Sequence, residues 1–289
     1  MKRKNLHLIL FCLPALLLYS IFVLYPAIGG FWYSLTDWNG LNPTKTYVGF
    51  INYMELLEDE HFRDSLLFTL KYVVYMVILQ NVIALFIAVV IESLTRGKKI
   101  LRTIFFFPNM ISMIIGGFIW MFIFTRAFPF VAEEFGLLFL DQSWIGDPNY
   151  SFYSILILSL WGSVGYLMII YIAALQNIPA SLIEAAKIDG ANKVQILWHV
   201  TRPLIMNSIT IGIFISLSSS FKVFDQVYAL TGGGPGRATQ VVSLNIFSEA
   251  FGMQSRFGYA SAKAVVLFLI ILAITGLQLL IMKRKEVEM

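Results

Sequence analysis

Glu184 begins a run of small residues that includes Ala185, Ala186, Asp189, Gly190 and Ala191. Small side chains let a helix sink close to a partner surface, where the Glu184 carboxylate would pair with a basic group. Ser181 and Glu184 have the spacing of a capping box, each satisfying an orphan amide. Gly190 can take φ > 0 and stop the helix. A second short amphipathic helix is expected over 193–200, leading to Pro203, which suits a first helical turn. The first helix either docks in a groove of another protein, passing rigid-body motion to it, or lies on a membrane surface.

The other candidates are polar groups in apolar surroundings. Ser159, Ser163 and Tyr166, with Trp161 nearby, share one apolar segment; Ser216, Ser218, Ser219, Ser220 and Lys222 share another. Ser159 with Ser163, and Ser216 with Ser220, fall on one helix face at i, i+4. Sugar hydroxyls need donors and acceptors, and sugar rings stack on aromatics, so these residues are candidates to line a solute path. The alternative is that the serines close-pack helices or bond the carbonyl four residues back. Lys222 and Asp225 are spaced to neutralise each other, and Gln80 and Asn81 read as helix–helix contacts.

Several chemistries are excluded. The glycine-rich run 231–237, TGGGPGR, lacks the Gly-Lys-Ser/Thr end of a phosphate loop and reads as a tight turn, so no ATP site is expected in this chain. His7, His61 and His199 are widely separated and have no cysteine partners, so neither a metal site nor a bound cofactor is expected. The single cysteine, Cys12, rules out an internal disulfide and reads as a small buried hydrophobe. With no cluster of nucleophile, base or metal ligands, no catalytic residue is expected.

Membrane-spanning helices must position these groups. Of 289 residues, 58% are hydrophobic and 13% charged, with a mean hydropathy of +0.77; soluble domains carry roughly 25% charge. Six apolar segments, at about 8–28, 72–91, 104–124, 152–175, 204–222 and 264–282, match the ~20 residues that cross a hydrocarbon core. Lipid offers the backbone no water, so they are expected to be helices. The expected class is an all-α membrane protein of six transmembrane helices, in a single domain over 1–289 with a loop at 176–203. The first segment stays uncharged over 5–36, too long for a secretory signal core, and reads as a retained span.

Thirteen basic residues fall on one side of these spans: Lys2, Arg3, Lys4, Arg96, Lys98, Lys99, Arg102, Lys187, Lys193, Arg202, Lys283, Arg284 and Lys285. Five fall on the other: Lys45, Arg63, Arg126, Arg237 and Arg256. That bias puts both termini and the loop in the cytoplasm. The net charge of +4 is scattered along the ends of apolar runs, so nucleic acid is not an expected partner.

The run EAAKIDGA at 184–191, with Pro203 thirteen residues after Gly190, closely resembles the "EAA" loop of bacterial ABC importer permeases. Elsewhere the chain resembles the carbohydrate branch, the maltose and glycerol-3-phosphate permease family. The resemblance rests on LPALLL from Leu13, SLTDW from Ser34, VGFINY from Val48, TIFFFP from Thr103 and LTGGGP from Leu230, and it covers nearly the whole chain. It implies the type I transmembrane fold of ABC importers, in the bacterial cell (inner) membrane among lipid. Glu184, Ala185, Ala186, Asp189, Gly190 and Ala191 would then lie in a coupling helix held in a cleft of a separate ATPase. The implied partners are an ATPase dimer, which holds the ATP and Mg, an extracellular solute-binding protein and a second permease subunit. The run 221–235 looks like one of the two permease types, which favours a non-identical second subunit. On a loose alignment with the maltose permease, Tyr166, Ser216 and Ser220 fall near its sugar-contacting positions. The implied role is import of a sugar or oligosaccharide. The competing class, a self-sufficient secondary transporter or channel, calls for a buried carboxylate relay, yet only Glu92 and Asp225 lie near span cores, both at ends.

Overall fold

The computed structural model describes residues 2–284, with side chains from Phe11 onward. The side chains of Lys2, Arg3, Lys4 and His7, and all of Lys285, lie outside the described residues. The described chain is helical, with one isolated antiparallel bridge between Thr36 and Tyr47. Its main helices are α1 (Phe11–Tyr33), α2 (Ile51–Glu58), α3 (Glu60–Ser93), α4 (Lys98–Phe106), α5 (Met113–Phe135), α6 (Pro148–Gln176), α7 (Ala180–Ile188), α8 (Lys193–Leu204), α9 (Met206–Ser220), α10 (Asp225–Leu230), α11 (Val242–Phe251) and α12 (Phe257–Lys283). Helices α1, α3, α5, α6 and α12 are each long and apolar enough to cross a bilayer, and α8 with α9 make a sixth, bent candidate.

The second and sixth spans begin earlier than expected, at Glu60 and Phe257, and the first runs on to Tyr33; two other expected spans are interrupted. The apolar run 104–124 is not one helix. Pro108 sits in a 3-10 turn, Phe107–Met110, and Ile111 and Ser112 are extended at ψ 132° and 134°. Proline offers no amide to continue the ladder, so the run divides into the end of α4 and the start of α5. The fifth segment, expected from 204, is bent by 75° between α8 and α9. Pro203 removes an amide at the junction, and Ile205 leaves the helix at φ −97°, ψ 10°. The 15 residues of α9 reach only about 22 Å at 1.5 Å per residue.

Contacts divide the chain into two compact units, residues 1–63 with 245–270 and residues 64–244 with 271–289. In the first, the amide of Asn52 ties down a turn by donating to the carbonyls of Ser34 and Thr36, each at 2.9 Å. The Gly258 amide donates to Trp38 O at 2.7 Å, and Lys45 Nζ lies 4.5 and 4.3 Å from the rings of Tyr33 and Trp38. No residue in the apolar window of α1 is buried, and Cys12, expected to be buried, is exposed as well, an exposure that lipid tolerates because its tails are as apolar as leucine.

In the second unit α6 is the hub. Its sequence is apolar all round, the pattern of a helix covered on every side. Ile155 and Leu158 pack with Tyr72 and Met76 of α3, Phe124 of α5 and Val227 and Leu230 of α10. Further along, Leu167, Met168 and Tyr171 pack with Ala84, Ala88 and Ile91 of α3. Gly165 lets α4 approach: a Cβ there would overlap the Phe105 carbonyl oxygen. Asn109 Nδ2 adds a bond to Gly162 O at 3.2 Å.

Candidate functional site

Helix α7 follows α6 after only three residues and has no buried residue. The expected capping box at Ser181 and Glu184 is not formed. Pro179 occupies the cap position and no side chain caps the helix. Alanine is the best helix former, and Ala180 is already helical, which places Ser181 two residues past the cap position. The box lies instead at the start of α8, where Gln195 N donates to Asn192 Oδ1 at 2.9 Å and Asn192 N donates to Gln195 Oε1 at 2.8 Å. That helix also outruns the expected 193–200, reaching Leu204 through a π turn at Leu197–Thr201.

The other end of α7 forms as its composition requires. Gly190 has φ +82°, and the amides of Gly190 and Ala191 donate to Lys187 O and Ala186 O at 3.1 and 3.0 Å, a Schellman stop. Glu184, Ala185, Asp189 and Gly190 are exposed, and Ala186 and Ala191 are half-buried. Leu182 is 42% and Ile188 87% exposed. No ion pair to Glu184 or Asp189 occurs among the described residues. Helix α7 therefore offers an exposed Ile188 one turn on from the Glu184 carboxylate, which has no ion-pair partner among the described residues, with Leu182 exposed on another face.

The candidate path residues are not equivalent. Ser159 and Ser163 donate to Ile155 O and Ser159 O at 2.7 and 2.6 Å. Both hydroxyls serve their own helix. Ser216 accepts from Asn81 Nδ2 at 2.8 Å and donates to Ile213 O at 3.1 Å. Asn81 also accepts from Tyr171 OH, so it joins α3, α6 and α9 as the contact its sequence position implies. Gln80 Nε2 donates to Ser163 O at 3.2 Å. Ser220 Oγ is buried and has no hydrogen-bond partner among the described residues. Tyr166 and Lys222 are exposed. Lys222 and Asp225 form no ion pair among the described residues, because α9 ends at Ser220 and the intervening turn breaks the helical i, i+3 geometry. A crevice of about 350 Å3 lies beside Asn81 and Tyr171 and is lined further by Trp198, Arg202 and Ile209. Arg202 stacks over Trp198 at 4.8 Å.

Sequence reasoning missed two ionic clusters. In one, Glu92 accepts from Arg102, from Lys98 Nζ at 3.2 Å and from Gln176 Nε2 at 3.3 Å. Neutralised by two cations, Glu92 is not the free carboxylate that an ion relay would use. In the other, Lys263 is 1% exposed, inside α12 rather than at its edge. Its Nζ reaches Asp59 Oδ2 at 2.9 Å, Glu249 Oε2 at 2.8 Å and Asn245 Oδ1 at 2.9 Å. Tyr259 OH also donates to Asp59 at 2.9 Å. Arg256 forks onto Glu55 and lies 3.7 Å from Glu249. The hydrogen bond from Arg256 holds the Glu55 carboxyl below its usual range against the opposing effect of burial. Burial works against ionisation of Asp59, yet bonds from Lys263, the Phe62 amide and Tyr259 outweigh it and leave this carboxyl low as well. The one signal in the sequence that could have found this cluster is a lysine followed directly by an apolar run, since a cation at that position needs partners.

Comparison with known proteins places this geometry. Residues 80–287 match the family model described as "Binding-protein-dependent transport system inner membrane component". The chain is 42% identical over 280 residues to the probable starch degradation products transport system permease protein AmyD of Thermoanaerobacterium thermosulfurigenes, covering 97% of this chain and 95% of that one. It is 34% identical over 277 residues to the multiple sugar-binding transport system permease protein MsmF of Streptococcus mutans, covering 96% and 95%. A crystal structure of a bacterial ABC transporter involved in import of the acidic polysaccharide alginate contains a chain of the same fold, at a TM-score of 0.83 and 22% identity over 98% of this chain and 96% of that one. The chain belongs to the family of binding-protein-dependent transport inner-membrane components. It is a multi-pass permease subunit of an ABC importer, a transport subunit and not an enzyme.

Proposed function

We propose that this permease imports an oligosaccharide of the starch-degradation class and takes its drive through α7. The cargo reading is supported by the names of its relatives, AmyD at 42% and MsmF at 34% identity. The coupling reading is carried by one observation: a nine-residue helix, stopped by Gly190 at φ +82°, stands uncovered three residues beyond the central helix. Its exposed Ile188 and Glu184, one turn apart on a single face, fit a groove with a basic group beside it. In this reading both termini and the 176–203 loop face the cytoplasm, and the chain acts as one permease domain. Its partners are a non-identical second permease subunit, an ATPase dimer that binds ATP and Mg, and an extracellular solute-binding protein.

The test is reconstitution of the full importer in proteoliposomes with its binding protein. Wild type is expected to take up labelled maltotriose and to hydrolyse ATP faster when the loaded binding protein is added. Glu184→Lys and Gly190→Val are expected to insert normally but to lose stimulated hydrolysis and uptake together. Normal uptake by both variants would sink the coupling role. Indifference to maltotriose, with uptake of a non-glucan sugar instead, would sink the cargo class.

A further inference from the structure

We propose that Glu92 is a positioning residue for energy coupling, binding the ends of α3, α4 and α6 into one unit directly before α7. The inference rests on the reading of α7 as the coupling helix.

Three elements meet at this carboxylate. Glu92 lies one residue before the end of α3, Lys98 and Arg102 lie in the first two turns of α4, and Gln176 is the last residue of α6. Glu92 Oε1 takes Arg102 Nη2 and Gln176 Nε2, and Oε2 takes Lys98 Nζ at 3.2 Å. Lys98 Nζ also donates to the Glu92 carbonyl at 2.8 Å. The side chains of Glu92, Lys98 and Arg102 are 20, 32 and 27% exposed, so water screens the cluster only partly.

Only Asn177, Ile178 and Pro179 separate this cluster from α7. The amides of Asn177 and Ile178 donate back to Ala174 O and Leu175 O, and that of Leu182 to Pro179 O, so a hydrogen-bonded turn closes each side of a short connection. On the other side, the approach of α4 at Gly165 and the Asn109 bond to Gly162 O lock α4 along α6. A displacement of α7 therefore reaches α6 at Gln176. Through Glu92 it is shared with α3 and α4 instead of being absorbed as bending of α6 alone. Interfaces held in discrete packed arrangements carry motion in this way. A glutamine at 92 keeps acceptor capacity but cannot hold two cations, and Lys98 and Arg102 would then repel each other and drift apart.

The experiment compares wild type, Glu92→Gln, Gln176→Ala and Glu184→Lys in the reconstituted importer. It reads solute transported per ATP hydrolysed, alongside assembly with the ATPase on a sizing column. Gln176 is exposed, so its alanine variant tests the same link with little risk to folding. The expected result is assembly at wild-type levels for Glu92→Gln and Gln176→Ala, with a transport-to-hydrolysis ratio lower by about fivefold or more, the scale of ordinary coupling between sites. An unchanged ratio in both variants overturns the inference, whether or not absolute rates fall, because a merely structural role lowers both rates together. If Glu184→Lys also leaves the ratio and the uptake intact, the reading of α7 itself has failed. If Glu184→Lys uncouples and the other two do not, only the role of Glu92 has.

Discussion

Lys263 Nζ and Asp59 Oδ2 lie 2.9 Å apart, although about two hundred residues separate them in sequence. The lysine is shared with Glu249 at 2.8 Å, so one buried cation holds two carboxylates. Removing one member of a buried pair leaves an uncompensated charge and costs about 3–5 kcal/mol. Lys263→Met should therefore lower the thermal unfolding temperature in detergent markedly. Arg256→Gln, which breaks a pair whose side chains are 42 and 44% exposed, should cost only about 0–1 kcal/mol. Equal losses in the two variants would contradict the burial argument.

The same cluster sets an acid limit. Glu55 and Asp59 both lie below their ordinary values of 4.5 and 3.8 in the folded chain. A carboxyl with a depressed folded pKa stabilises the fold fully above its unfolded value, and that stabilisation is lost as the pH falls through the folded value. Thermal stability should thus be insensitive to these groups near neutrality and should decline below about pH 4.5. The double variant Glu55→Gln, Asp59→Asn should start lower and show a shallower acid decline. An equally steep decline in the double variant would place the acid sensitivity elsewhere.

What was legible in the sequence divides along physical lines. Hydropathy is local, so apolar segments announced the helices that cross or approach the membrane. Gly190 was legible because the αL conformation favours glycine, and Asn81 because an amide in an apolar helix must find a partner. The break at Pro108 was hidden because apolar residues flank it on both sides, and a window of hydropathy does not register one missing amide. The box at Asn192 and Gln195 was overlooked because Ser181 and Glu184 have the same spacing, and only the helix start at Ala180 separates the two. Glu92 looked like a span end and the burial of Lys263 went unforeseen, because the partners of both are set by tertiary packing, which no local pattern records.

The close approach at Gly165 makes a steric prediction. Alanine is favoured over glycine within a helix by about 1 kcal/mol, and Gly165 lies inside α6. Gly165→Ala should nevertheless destabilise the chain and loosen α4, because the new methyl would meet the Phe105 carbonyl, a backbone atom that cannot rotate away. Gly116→Ala is the control. Its Cβ would meet Leu158 and Trp161 side chains at 3.5 Å, ordinary contact, so it should be neutral or mildly stabilising. Protease accessibility of the 94–97 turn reads the loosening, and a stable, protected Gly165→Ala would refute it.

The last prediction separates packing serines from the solute path. Ser216 is satisfied on both sides, by Asn81 and by Ile213 O. Its alanine variant should lose about 1 kcal/mol of stability, the usual net worth of a hydrogen bond, and leave solute preference alone. Ser220 has a buried hydroxyl without a partner among the described residues, so Ser220→Ala should be neutral or slightly stabilising, since it removes an unpaid desolvation penalty. Tyr166 is 43% exposed and presents both a ring and a hydroxyl, the two features a sugar engages. Tyr166→Ala should raise the solute concentration needed for half-maximal uptake while leaving thermal stability near wild type. Competition uptake with glucans of different length, run beside unfolding curves for all three variants, distinguishes these roles. Altered solute preference in Ser216→Ala without any loss of stability would return that serine to the path and remove the distinction drawn from its hydrogen bonds.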